Sequence, residues 1–161
     1  MPDDVPVTEG RVFEKLLNRL TGRDRPEPLP PSDARLALAA LLVRAARING
    51  DYAAVQVDRI DRVLVRLYAL APEAAAGLRA EAEVLESEAP DTVRFTRAVK
   101  DATPLEERER ELAALWEVIL SDGVSDHAEA GLMRLVANLL GISDRDSALI
   151  RKQVAAQLAQ G

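Results

Sequence analysis

An all-α bundle of about seven to eight helices, built from two related helix-pair motifs, is the fold predicted for this chain of 161 residues. Three observations carry that expectation. Apolar residues recur at i, i+3, i+4 and i+7, while no stretch holds a sustained period-2 alternation or a cluster of β-branched residues. Prolines mark the breaks, at 26–31 and at Pro72, Pro90 and Pro104. A degenerate internal repeat appears when Asn49-Gly50 is aligned with Asp122-Gly123. Apolar pairs then coincide at Leu42/Leu115, Ala46/Ile119, Ile60/Met133, Val63/Val136 and Leu67/Leu140. Each copy reads as an apolar helix, a short Gly-containing corner and a second amphipathic helix.

The first expected helix spans 9–20, with Val12, Phe13, Leu16, Leu17 and Leu20 forming one stripe. Residues 21–31 hold four prolines and a glycine, so they form a linker. The domain organisation that follows is 1–31 as amphipathic helix and linker, and 32–161 as the helical domain. A helix at 33–48 is apolar on nearly every side apart from Arg44 and Arg47, a pattern that belongs in the middle of a bundle. The helix at 53–70 presents Val57, Ile60, Val63, Leu64 and Leu67. Pro72 opens a helix to about 89, rich in Ala and Glu and read as peripheral. A short helix follows at about 91–101. Thr103-Pro104-Leu105-Glu106 predicts a capping box, with Thr103 as cap, leading into a helix to about 121. The helix at about 126–140 ends on Gly141, and Ser143 to Asp146 caps the last.

Hydrophobic residues make up 48% of the chain and aromatics only 3%, so the core is built from Ala, Leu and Val. The net charge of −6 argues against nucleic acid, whose binders carry a basic face. The absence of cysteine removes disulfides, thiolate metal sites and thiol catalysis. No apolar run approaches the ~20 residues of a membrane span, and no basic start with an apolar block precedes the first helix. A cytoplasmic protein is therefore expected.

The sharpest chemistry is Asp122-Gly-x-x-Asp126-x-x-Glu129. Three carboxylates and nearby carbonyls suit a hard divalent cation, calcium above all. The spacing matches the second half of an EF-hand loop, but Val118 and Leu120 fall where its first ligands belong. The matching residues of the first copy are Asn49, Ala53 and Gln56, so only one corner keeps the charge. Acids in a first helical turn also cap amides and favour the helix dipole with no metal at all. His127, the single histidine, sits inside this cluster. No catalytic constellation appears: serines lack a local histidine and no phosphate loop occurs. Trp116 is read as core, Tyr52 and Tyr68 as lacking partners, and Glu106 to Glu111 as a solvated helix start.

With these residues in view, the chain resembles the TerB-like family, named for tellurite-resistance protein B, over roughly 33–158. The most specific stretch is LWEVILSDGVSDHAEAGLMRLVANLLGIS, which looks like the family's second helix pair. The resemblance implies an all-helical fold of two related motifs, links to tellurite and other chemical stress, and association with membrane-bound stress complexes. It also implies metal-binding acids, which fall here on Asp122, Asp126 and Glu129. The expected role is a non-enzymatic binding or scaffold module with a weak divalent-cation site and a protein partner. Two other readings stay open: a metal-dependent hydrolase using the acidic cleft, and a structural adaptor for a membrane-protein partner. The helix at 9–20 must also be covered, by its own bundle, by a second copy in a homo-oligomer, by a partner or by a membrane surface.

Overall fold

A computed structural model describes residues 31–48, 52, 54–88, 92–121 and 127–160. The helix expected at 9–20, and the linker up to residue 30, lie outside them. Seven helices are described: α1 (Pro31–Arg47), α2 (Ala54–Tyr68), α3 (Pro72–Glu88), α4 (Thr92–Ala102), α5 (Leu105–Leu120), α6 (His127–Leu139) and α7 (Asp144–Gln160). No strand occurs among the described residues, and no helix there is long and apolar enough to cross a membrane.

Helix α1 is the axis of the bundle. Every residue from Leu36 to Val43 is buried, because α3, α4 and α5 pack around it. The two arginines of its last turn leave the core together: Arg44 Nε and Arg47 Nη1 both reach the Glu86 carboxylate of α3, at 3.0 and 2.7 Å. Helix α5 is the second spine, burying Leu112, Leu115, Val118 and Ile119, with α7 laid along it. Leu42 and Leu115, paired by the repeat, are both fully buried.

The repeat seen in the sequence is a repeat of helix boundaries. Helix α1 ends at Arg47 and α5 at Leu120; α2 begins at Ala54 and α6 at His127. Both pairs are offset by the same number of positions as Asn49 and Asp122. Helices α3 and α7 are both 17 residues long. They start at Pro72 and Asp144, one position short of that offset. The preceding turns share one device. Ala69 and Gly141 are left-handed, at φ 52° and 79°. Leu70 N–H bonds Val65 O at 3.2 Å, and Ile142 N–H bonds Ala137 O at 2.8 Å. Each is the six-to-one closure that ends a helix on a left-handed residue.

Two local expectations are corrected. Helix α3 is not peripheral: Ala75, Ala82 and Leu85 are fully buried, and its packing against α1 is the most extensive in the bundle. Small side chains mark close approach here, not exposure. Thr103 does not cap α5. Its hydroxyl donates to Val99 O at the end of α4, and the cap position falls on Pro104, with no side-chain bond. At the start of α7 the expected cap forms, with Ser143 Oγ accepting from Asp146 N–H at 3.1 Å.

Candidate functional site

The second corner is where the sequence concentrates acids. Helix α5 closes on Ser121, whose N–H and hydroxyl both donate to Val118 O. Helix α6 resumes at His127. Asp122 and Asp126 lie outside the described residues, as does the His127 side chain. Glu129 is described. It stands in the first turn of α6, 1% exposed, with both carboxylate oxygens shut off from solvent. The positive end of the helix favours a carboxylate there. Among the described residues no group of three or more His, Cys, Asp or Glu could hold a metal. The oxygen-only donor set proposed from the sequence therefore rests on one buried acid and two residues beyond the description.

A groove of about 310 Å³ adjoins Glu129, between α5, α6 and α7. Trp116, Ile119 and Met133 supply its apolar surface. Trp116 is thus not wholly core. Its Nε1–H donates to Ser147 Oγ at 3.2 Å, and the Arg151 guanidinium lies 5.5 Å from the ring centroid. A cation over an indole face is attracted by the ring quadrupole. Arg134 and Asp144 stand at the edge of the same groove. No ion pair joins Arg134 or Arg151 to an acid among the described residues.

The matching place in the first half is closed. Gln56, the counterpart of Glu129, is also 1% exposed. Asp61, the counterpart of Arg134, takes Arg79 Nε at 2.6 Å, and Arg79 Nη1 reaches Glu83 at 3.0 Å. Tyr52 completes the lid, donating to Glu83 Oε2 at 2.8 Å under the Arg47 guanidinium. Burial and the Glu83 carboxylate both push the Tyr52 hydroxyl above its usual range. Arg79 is held further in its charged form, first by the Asp61 hydrogen bond.

Both tyrosines therefore have partners. Tyr68 donates to Glu111 Oε2 at 3.1 Å, with Arg35 stacked 4.7 Å from its ring centroid. Glu111 is likewise not part of a solvated start, being only 5% exposed. Burial first, then Glu107, lift its carboxyl from 4.5 to about 7, against the Tyr68 hydrogen bond. None of these pairings was legible as local sequence, because the partners lie 31 to 43 residues apart. One signal was available for the groove: the repeat alignment sets Asp61 against Arg134, a charge reversal that forbids the first half's bridge in the second.

Fold and corner together define an all-α protein of two related helical units, with an acidic corner kept in one of them. Comparison with known protein families matches residues 35–152 to the family described as tellurite resistance protein TerB. The chain belongs to the TerB family. Searches of curated proteins and of solved structures find no match.

Proposed function

We propose that this TerB-family chain is a non-enzymatic binding module of bacterial chemical-stress response, and that its second corner takes a divalent cation, calcium by preference. Asp122, Asp126 and Glu129 are the ligands, and the partner is a protein of a membrane-bound stress complex. The observation that carries the reading is the difference between the corners: a carboxylate, Glu129, is buried where the first corner buries the neutral Gln56. Glu129 lies one turn beyond the Asp-Gly corner, with Asp122 and Asp126 before it in the chain, and carboxylates so spaced supply the oxygens that a hard cation takes.

The ligand set is smaller than in full calcium loops, so affinity is expected to be no better than about 10⁻⁴ M. Calcium at about 10 mM then stabilises the native state by at most about 2.7 kcal/mol, since binding to the folded state alone adds RT ln(1 + [L]/Kd). Thermal melts of the full chain with and without calcium read this directly. Asp122→Asn and Glu129→Gln should each abolish the shift. A melting temperature and an amide spectrum of this corner that calcium leaves unchanged would refute the site.

A further inference from the structure

One arginine is kept in both halves of the repeat, and its partners are kept in only one. Helices α3 and α7 begin at Pro72 and Asp144, so Arg79 of the first matches Arg151 of the second, and Glu83 matches Ala155. In the first half Arg79 lies between two carboxylates, with Nε 2.6 Å from Asp61 and Nη1 3.0 Å from Glu83. In the second half both acids are gone: Arg134 stands at the place of Asp61, and Ala155 at that of Glu83. Two guanidinium groups therefore edge the groove between α5, α6 and α7. Among the described residues neither Arg134 nor Arg151 forms an ion pair.

The floor of the groove departs from the first half as well. Trp116, Ile119 and Ser147 stand where the first half has Val43, Ala46 and Ala75. Those three are fully buried, whereas Trp116 is half-buried and lines the groove. Its indole is held by the hydrogen bond to Ser147 Oγ at 3.2 Å and by Arg151 at 5.5 Å from the ring centroid. A guanidinium drawn to a ring face keeps N–H donors for a planar acceptor. We propose that this groove docks an acidic peptide segment of a partner protein. An apolar side chain of the segment lies on Trp116, Ile119 and Met133, and carboxylates beside it take Arg134 and Arg151, as Asp61 and Glu83 take Arg79 within the chain.

This inference rests on the reading of the chain as a protein-binding module and names the chemistry of the partner; it does not need a cation at the corner. Carboxylates are favoured over phosphates by what surrounds the arginines. The first half already seats carboxylates at these positions, and Glu129 and Asp144 border the groove. A phosphate, with nearly twice the charge of a carboxylate, meets more repulsion from them. An anionic membrane surface meets the same acids and a net charge of −6. At about 310 Å³ the groove lies at the small end of ligand sites, a size for a short peptide stretch and not for a large cofactor.

Trp116 is the one tryptophan of the chain, so its emission and its indole N–H resonance report on this groove alone. The full chain, in chelator, is titrated with the peptide acetyl-Asp-Leu-Glu-Leu-Asp-amide, whose blocked ends leave only side-chain carboxylates. Both signals should move and saturate. The isostere acetyl-Asn-Leu-Gln-Leu-Asn-amide should bind about tenfold more weakly or worse, because its hydrogen bonds to the arginines lack the charge. Arg134→Gln should weaken the acidic peptide by a similar factor. Arg134→Asp should abolish binding while the melting temperature holds or rises, since it gives Arg151 the carboxylate that Arg79 has. Unmoved signals at millimolar peptide, equal binding of the isostere, or unchanged affinity in both variants overturns the proposal. Tighter binding of a phosphoserine version, or of phosphatidylglycerol vesicles that the peptide does not displace, also overturns it, in favour of a phosphate or a membrane surface. Calcium melts report separately on the corner: peptide binding without a calcium shift removes the cation and keeps the groove, and a calcium shift without peptide binding does the opposite.

Discussion

At the first corner Asp61 grips Arg79, and Tyr52 closes over Glu83; at the second, the same two helix positions hold Arg134 and Arg151, and a groove stays open beside Trp116. The apolar residues beneath are alike. Leu42 and Leu115, Ile60 and Met133, Val63 and Val136 are all buried. The two halves teach that a duplicated bundle keeps its inward pattern, while one charge reversal on the outward face decides whether a surface seals or remains available. An Asp–Arg bridge over a helix pair contributes modestly to stability when half exposed. Its loss costs the fold little and leaves an indole-lined groove next to a buried acid.

If the halves share one core, truncating either spine should hurt alike. Leu42→Ala and Leu115→Ala should each cost about 2–5 kcal/mol by chemical denaturation. A loss below about 1 kcal/mol at either site would show that the two spines are not equivalent.

A smaller effect tests where the halves differ inside. Glu111 occupies the position of Leu38, and its carboxyl is lifted from 4.5 to about 7. A raised acid binds its proton more tightly folded than unfolded. The stability it brings is therefore complete below about pH 4.5 and is lost as pH rises to about 7. Glu111→Gln, which keeps an acceptor for Tyr68, should flatten that decline. It should be more stable than the parent by on the order of 2–3 kcal/mol at pH 8 and equal at pH 4.5, by the ~1.4 kcal/mol per pKa unit rule. Parallel pH–stability curves for parent and variant would rule this out.

The smallest effect concerns the paired turns. Ala69 adopts a left-handed conformation that Gly141 adopts without strain. Ala69→Gly should raise stability by roughly 0.5–1 kcal/mol, by relief of a conformation that L residues disfavour. Gly141→Ala should lower it by about 1 kcal/mol, since the new Cβ would also stand 3.3 Å from Arg108 Nη1. Equal and opposite signs at the two turns sharpen the repeat; like signs would break it.

Helical periodicity was enough to read every described helix to within two or three residues, because each inward stripe is a local property of the chain. What failed was whatever depends on a distant partner. The Ala-rich α3 looked peripheral because few large apolar residues suggest little burial, yet Ala75 and Ala82 are fully buried. Tyr52, Tyr68 and Glu111 looked unpaired or solvated because their partners sit on other helices. Thr103 satisfied every local rule for a cap and still turned back to Val99 O, a nearer acceptor in the helix before it. Of the candidate corner, the charge of Glu129 was legible and its burial was not: a first-turn acid is ordinarily exposed, and only tertiary packing removes it from water.

The close contact between α1 and α3 also divides the molecule by how freely its side chains can rearrange. Ala37, Ala40, Ala45 and Ala46 on one helix, and Ala75 and Ala82 on the other, are buried without a single rotatable side-chain torsion between heavy atoms. Alanine loses no rotamer entropy on burial, and equally has no alternative rotamer to move into. These alanines can answer a perturbation only if the helices that carry them shift. The second half, with Trp116, Ile119 and Met133 around its groove, can answer by turning side chains in place. The groove beside Glu129 is therefore a place where this bundle can adapt without moving its helices.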